Sequence, residues 1–161
     1  MQHNQNNLGS AEEWLNRAKS NFALAKQPKS EEIYFEDLCF ETQQAAEKAL
    51  KAVLISKKIT FRFVHDLAEL LTLLEQNGVN FPEDIRAAAA LTDYSVEARY
   101  PGPFEPVTEN EFKEAMVKVQ GIIKKAQLSD VFGTLRSGKG EARTESGKFG
   151  RGLFLSAKGD I

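Results

Sequence analysis

From Ser10 to Gln127 apolar side chains recur at three- and four-residue steps, and no convincing run of alternating apolar and polar residues supports a strand. That pattern restricts the chain to helix-on-helix architectures, because a helix with one apolar stripe must bury it against another such stripe. The stops and starts divide it. Ser10-Ala-Glu-Glu13 is a capping box, with hydroxyl and carboxylate each satisfying an exposed amide at a helix start. The helix it opens carries Trp14, Leu15, Ala18, Phe22 and Ala25 and ends at Pro28. A second helix is expected from about Tyr34 to Ser56, with Phe35, Leu38, Cys39, Thr42, Ala46, Ala49, Leu50 and Val53 on one side. The third covers His65 to Gln76 through Leu67, Leu70, Leu71 and Leu74, and Asn77-Gly78 caps it. Pro82 opens a fourth, about Glu83 to Glu97, before Pro101-Gly102-Pro103. Thr108-Glu-Asn-Glu111 is a second capping box and starts the last helix, which runs to about Gln127. The expectation is an all-α fold, an antiparallel bundle of about five helices.

Composition sets the limits of that bundle. Seven of the 11 glycines fall in residues 128 to 161, where no apolar period is sustained, so this stretch reads as a disordered Gly-rich tail. Six basic and four acidic residues give the tail +2, which leaves 15 basic against 19 acidic, or −4, for residues 1 to 127. The division is therefore a flexible N-terminus over 1–9, a helical bundle over 10–127 and the tail over 128–161. A formal charge of −2 argues against a broad grip on duplex DNA. No apolar run reaches the roughly 20 residues of a membrane helix, and the Asn/Gln-rich start is no secretory signal, so a cytoplasmic location is expected. Cys39 alone cannot form an internal disulfide, and with only His3 and His65 no metal site or other cofactor is expected.

The second helix carries the partner signal. At 100° per residue Gln43, Gln44, Glu47, Lys48 and Lys51 share an arc opposite the apolar stripe, and Phe40 falls inside it. An aromatic ring there implies that this face is covered too, by another helix of the chain or by a second copy. Glu47 precedes Lys51 by four residues, the favourable order for an ion pair, worth only about 0.2 to 0.5 kcal/mol if exposed. Ala45, Ala46, Ala49 and Ala52 permit close helix approach, so the amides of Gln43 and Gln44 need partners across an interface or on a ligand. For Cys39, core packing is the expected role.

Three motifs in order, Phe40-Glu-Thr-Gln43-Gln44-Ala-Ala-Glu47-Lys48-Ala-Leu50-Lys51, then Val64-His65-Asp66-Leu67, then Ala98-Arg99-Tyr100-Pro101-Gly102, resemble the HEPN domain family over about Ser10 to Gln127. The resemblance implies a small helical bundle, commonly a homodimer, often encoded beside a minimal nucleotidyltransferase. Many members are metal-independent ribonucleases that use an Arg followed after four to six residues by a His. Here the positions corresponding to that His after Arg99 are Phe104, Glu105 and Pro106, and His65 follows Arg62 by only three, so the usual spacing is absent. The chain looks closer to the branch that ends in Arg-Tyr-Pro.

Each candidate residue then has two readings. His65 contacts a phosphate or base with Arg99 supplying fixed positive charge, or Asp66 caps a helix while His65 bonds a neighbouring helix end, the reading we favour from sequence. Arg99 and Tyr100 close the bundle, with the guanidinium on a carboxylate such as Glu47. Alternatively, Arg99, Lys48 and Lys51 form a cationic groove for a nucleotide, helped by Gln43 and Gln44. Three functions follow as expectations. One is a dimeric interaction module for a nucleotidyltransferase-type partner, as in a toxin–antitoxin pair, with nucleotide or RNA as ligand. The second is a metal-independent endoribonuclease acting through His65 and Arg99, and the third a structural helical binding subunit.

Overall fold

A computed structural model of the 161-residue chain describes residues 8–95 and 100–129. The expected N-terminal flexibility before Leu8 and the expected tail from residue 130 onwards lie outside the described residues, as does Arg99. Among the described residues, five α-helices and one 3₁₀ helix make up an antiparallel all-α bundle without strands. The helices are α1 (Ala11–Ala25), α2 (Phe35–Ser56), α3 (Leu67–Gln76), α4 (Glu83–Arg86) and α5 (Glu109–Leu128), with the 3₁₀ helix Ala87–Ser95 between α4 and α5. None is long and apolar enough to cross a membrane.

Local chemistry sets the ends. Ser10 and Thr108 both complete capping boxes, with Glu13 and Glu111 reaching back to the cap amides at 2.7 and 2.8 Å. Asp66 caps α3 by accepting from the amides of Ala68 and Glu69. Helices α2 and α3 finish alike. Past each end one residue takes positive φ, Lys58 at 56° and Gly78 at 83°, and the next amide turns back to a carbonyl five residues earlier, Ile59 to Leu54 and Val79 to Leu74, both at 2.9 Å.

Helix α2 is the axle. Helix α1 packs along it, α5 and the 3₁₀ helix lie against it, and α3 packs on both α2 and the 3₁₀ helix. Its alanines 45, 46, 49 and 52 are all fully buried, as close approach on two sides requires. Leu50 and Leu54 of α2, Leu15 of α1, Leu70 and Leu74 of α3, and Val119 and Ile122 of α5 fill the core between them. Burying each such side chain contributes about 1.5–3 kcal/mol.

The fourth expected helix differs from its reading. Only Glu83–Arg86 is α-helical and Ala87–Ser95 is 3₁₀, while residues 96 and 97 lie outside the described residues. The apolar spacing is compatible with the change. Ile85, Ala88, Leu91 and Tyr94 all pack on the core and recur every third residue, the step at which 3₁₀ side chains align along one edge. Helix α3 also starts later than expected, because Asp66 caps it and leaves His65 outside.

Candidate functional site

On the inner face of α2, Gln43, Glu47 and Lys51 stand one turn apart and are 0%, 3% and 1% exposed. Four-residue spacing stacks them into a line. The Lys51 Nζ donates to Glu47 Oε1 at 2.7 Å, and Gln43 Nε2 donates to Glu47 Oε2 at 3.2 Å. Gln43 Nε2 also reaches the His65 carbonyl at 3.3 Å, and Gln44 Nε2 donates to Gln43 Oε1 at 2.9 Å. The ammonium sits 5.8 Å from the ring centroid of Trp14 and 5.2 Å from that of Phe63. The Glu47–Lys51 pair expected from sequence is thus a buried ion pair, satisfied by amides and aromatic faces.

His65 joins this line from the extended segment between α2 and α3. Its Nδ1 lies 3.1 Å from both oxygens of Glu47, while the side chain as a whole is 73% exposed. Burial alone would push the Glu47 carboxyl up. It is outweighed by the hydrogen bond and charge of Lys51, then by those of His65, and the group is held below its ordinary value. An ionised carboxylate only accepts, so Nδ1 carries a proton and Nε2 is the ring nitrogen not engaged by Glu47. Such an imidazole can take a proton at Nε2, or, once protonated, donate from Nε2 to a phosphate oxygen.

The backbone beneath the ring is fixed from three directions. Gln43 holds the His65 carbonyl, Asp66 caps α3, and the Leu67 amide donates to Thr92 Oγ1 at 3.0 Å. Of the structural reading of His65-Asp66, the cap is present at Asp66, whereas His65 bonds the middle of α2 rather than a helix end.

The other candidates are distributed as follows. Lys48 leaves the line and donates to Asn21 Oδ1 at 2.6 Å; Asn21 Nδ2 in turn donates to Glu41 Oε2 at 2.5 Å, tying α1 to α2. Burial is the main influence lowering the Lys48 ammonium, despite Glu47 and Glu41 nearby. Tyr100 lies at a separate cavity near the start of α2, and the ten residues from Asp37 to Glu47 put about 15 Å between the two places. Sequence reasoning missed Trp14 and Phe63 as walls of the Lys51 pocket. Trp14 looked like ordinary α1 core, and Phe63 sits in a connection with no period. Among the described residues no cluster of three or more His, Cys, Asp or Glu side chains could hold a metal ion.

Comparison with known proteins identifies the bundle. The HEPN domain family model matches residues 11–129. The chain is 32% identical to TT1696 from Thermus thermophilus, with a TM-score of 0.64, and 30% identical to ST0689, an archaeal HEPN homologue, with a TM-score of 0.59. Each crystal structure matches 74% of this chain and 97% of its own. No curated protein shows significant similarity. With the family model spanning most of the chain and a bundle shared with these structures, the protein belongs to the HEPN domain family.

Proposed function

We propose that this chain is a dimeric HEPN interaction module that docks a nucleotidyltransferase-type protein, as one half of a toxin–antitoxin pair, and contacts nucleotide or RNA phosphate through His65. Family membership supports the partner class, since HEPN proteins include nucleotidyltransferase-associated members and commonly dimerise. The observation that carries the ligand class is the His65 imidazole, open to solvent yet pinned at Nδ1 by buried Glu47. Gln43, Glu47 and Lys51 act in this reading by positioning that ring, because their own polar atoms are engaged inside the protein.

Binding of a fluorescent single-stranded RNA, or of a nucleoside triphosphate, tests it. His65→Ala removes a charge-assisted hydrogen bond and is expected to weaken binding about tenfold or more. Unchanged affinity overturns the ligand assignment. Co-expression with a neighbour-encoded nucleotidyltransferase-type protein should yield a complex; separate elution overturns the partner assignment.

A second reading, metal-independent endoribonuclease, is favoured by one feature: a carboxylate-held imidazole with Nε2 free of that carboxylate is arranged as a general base for a ribose hydroxyl. Arg99 would supply the fixed charge. RNA cleavage in EDTA that His65→Ala abolishes supports it; intact RNA refutes it and leaves the binding module. If neither ligand nor partner binds, a structural helical subunit remains.

A further inference from the structure

A cavity of about 710 Å³ opens between the start of α2, the end of the 3₁₀ helix and residues 100–107. Three large aromatic side chains stand exposed around it: Tyr34 at 68%, Tyr100 at 69% and Phe104 at 56%. Folding alone gives no reason to leave three such rings in water about one opening, since each contributes more when covered. The charge there is one-sided. Among the described residues, Glu36, Asp37, Asp93 and Glu105 line the cavity against the single cation Lys29. Glu36 is spent on the Val107 amide at 2.8 Å, while Asp37, Asp93 and Glu105 form no ion pair with any described residue. The rim already holds a cation in the expected manner, because Lys29 Nζ lies 5.1 Å from the centroid of the Phe35 ring. Burial first, then Cys39, Glu111, Asp93 and Glu36 nearby, raise the Tyr94 phenol beside this cavity.

We propose that this cavity receives an arginine side chain presented by a partner protein, with the guanidinium stacked on Tyr34, Tyr100 or Phe104 and paired with Asp93 and Glu105. Charge complementarity selects the occupant: four carboxylates against one ammonium leave the described lining with an excess of three negative charges, so phosphate and nucleic acid are repelled. Arginine fits better than lysine because its planar, weakly hydrated head can stack on a ring and bind a carboxylate in bidentate fashion at once. The assignment stands apart from the phosphate reading at His65, which uses a different surface.

The test uses the full chain and capped tetra-arginine, tetra-lysine and tetra-glutamate peptides, with affinity from calorimetry and location from amide chemical-shift changes. Tetra-arginine is expected to bind several-fold more tightly than tetra-lysine and to shift residues 34, 93, 100 and 104; tetra-glutamate should not bind. The double variant Asp93→Asn/Glu105→Gln should lose about tenfold in affinity, and Tyr100→Ala several-fold. Both replace exposed groups, and circular dichroism identical to the parent's verifies the fold. The proposal is overturned if lysine and arginine peptides bind equally, if the shifts spread over other acidic surface, or if the double variant binds like the parent.

Discussion

Replacing Lys51 by Met removes the ammonium and keeps an unbranched side chain of similar length, so little cavity is created. Glu47 then stays 3% exposed with its cation gone. Breaking one side of a buried ion pair costs about 3–5 kcal/mol, and the remaining bonds from Gln43 and His65 place this case near the lower end, about 3 kcal/mol. Glu47→Leu strands the opposite charge. Lys51, 1% exposed, keeps only the Trp14 and Phe63 faces, and the cost is again about 3 kcal/mol. The double variant Glu47→Leu/Lys51→Met leaves no buried charge. It forfeits the acceptor used by Gln43 and His65, a loss of about 1 kcal/mol, partly offset because Gln43 keeps the His65 carbonyl. The double change should thus be far milder than either single change. Urea unfolding followed by far-ultraviolet circular dichroism gives all four corners of the cycle. Single variants within about 1 kcal/mol of the parent, or a double variant as unstable as the sum of the singles, would refute the account of a charge pair held by mutual need.

Other consequences can be checked separately. The Glu47 carboxyl titrates below its ordinary value in the fold, so its contribution is full above the unfolded value of 4.5 and fades as pH falls through the folded one. Glu47→Gln should therefore lose more stability at pH 7 than at pH 3, and a difference that does not shrink with acid contradicts the shift. Lys58 sits at φ 56°, where glycine is unstrained, so Lys58→Gly should raise the unfolding midpoint with a gain of about 1 kcal/mol. Gly78→Ala, at φ 83° with open space around its Cβ, should lose a similar amount, about 1 kcal/mol. Burial, aided by Glu36 and Glu111, pushes the Cys39 thiol up to about 12, so native protein should resist alkylation at neutral pH until denatured.

The helices were legible wherever a local rule acts alone. Both capping boxes and the Asn77-Gly78 stop depend on residues a few positions apart, and the structure shows their bonds in place. The 3₁₀ helix was not, because Ile85, Ala88, Leu91 and Tyr94 at steps of three also suit one face of an α-helix. The polar line on α2 was half legible. Its residues could be gathered by angle, but helix angle does not reveal depth, and Lys51 is enclosed by Trp14 and Phe63 from other parts of the chain. The link from His65 to Glu47 spans 18 residues and two elements, and no spacing rule predicts it.

The triple anchoring of the chain at His65, Asp66 and Leu67 bears on speed. If His65 takes the proposed phosphate ligand, a segment already held by the fold would give up little further freedom, and no slow rearrangement of its backbone should gate the encounter. Capture there should follow collision, and selectivity would then be written in how long the guest stays.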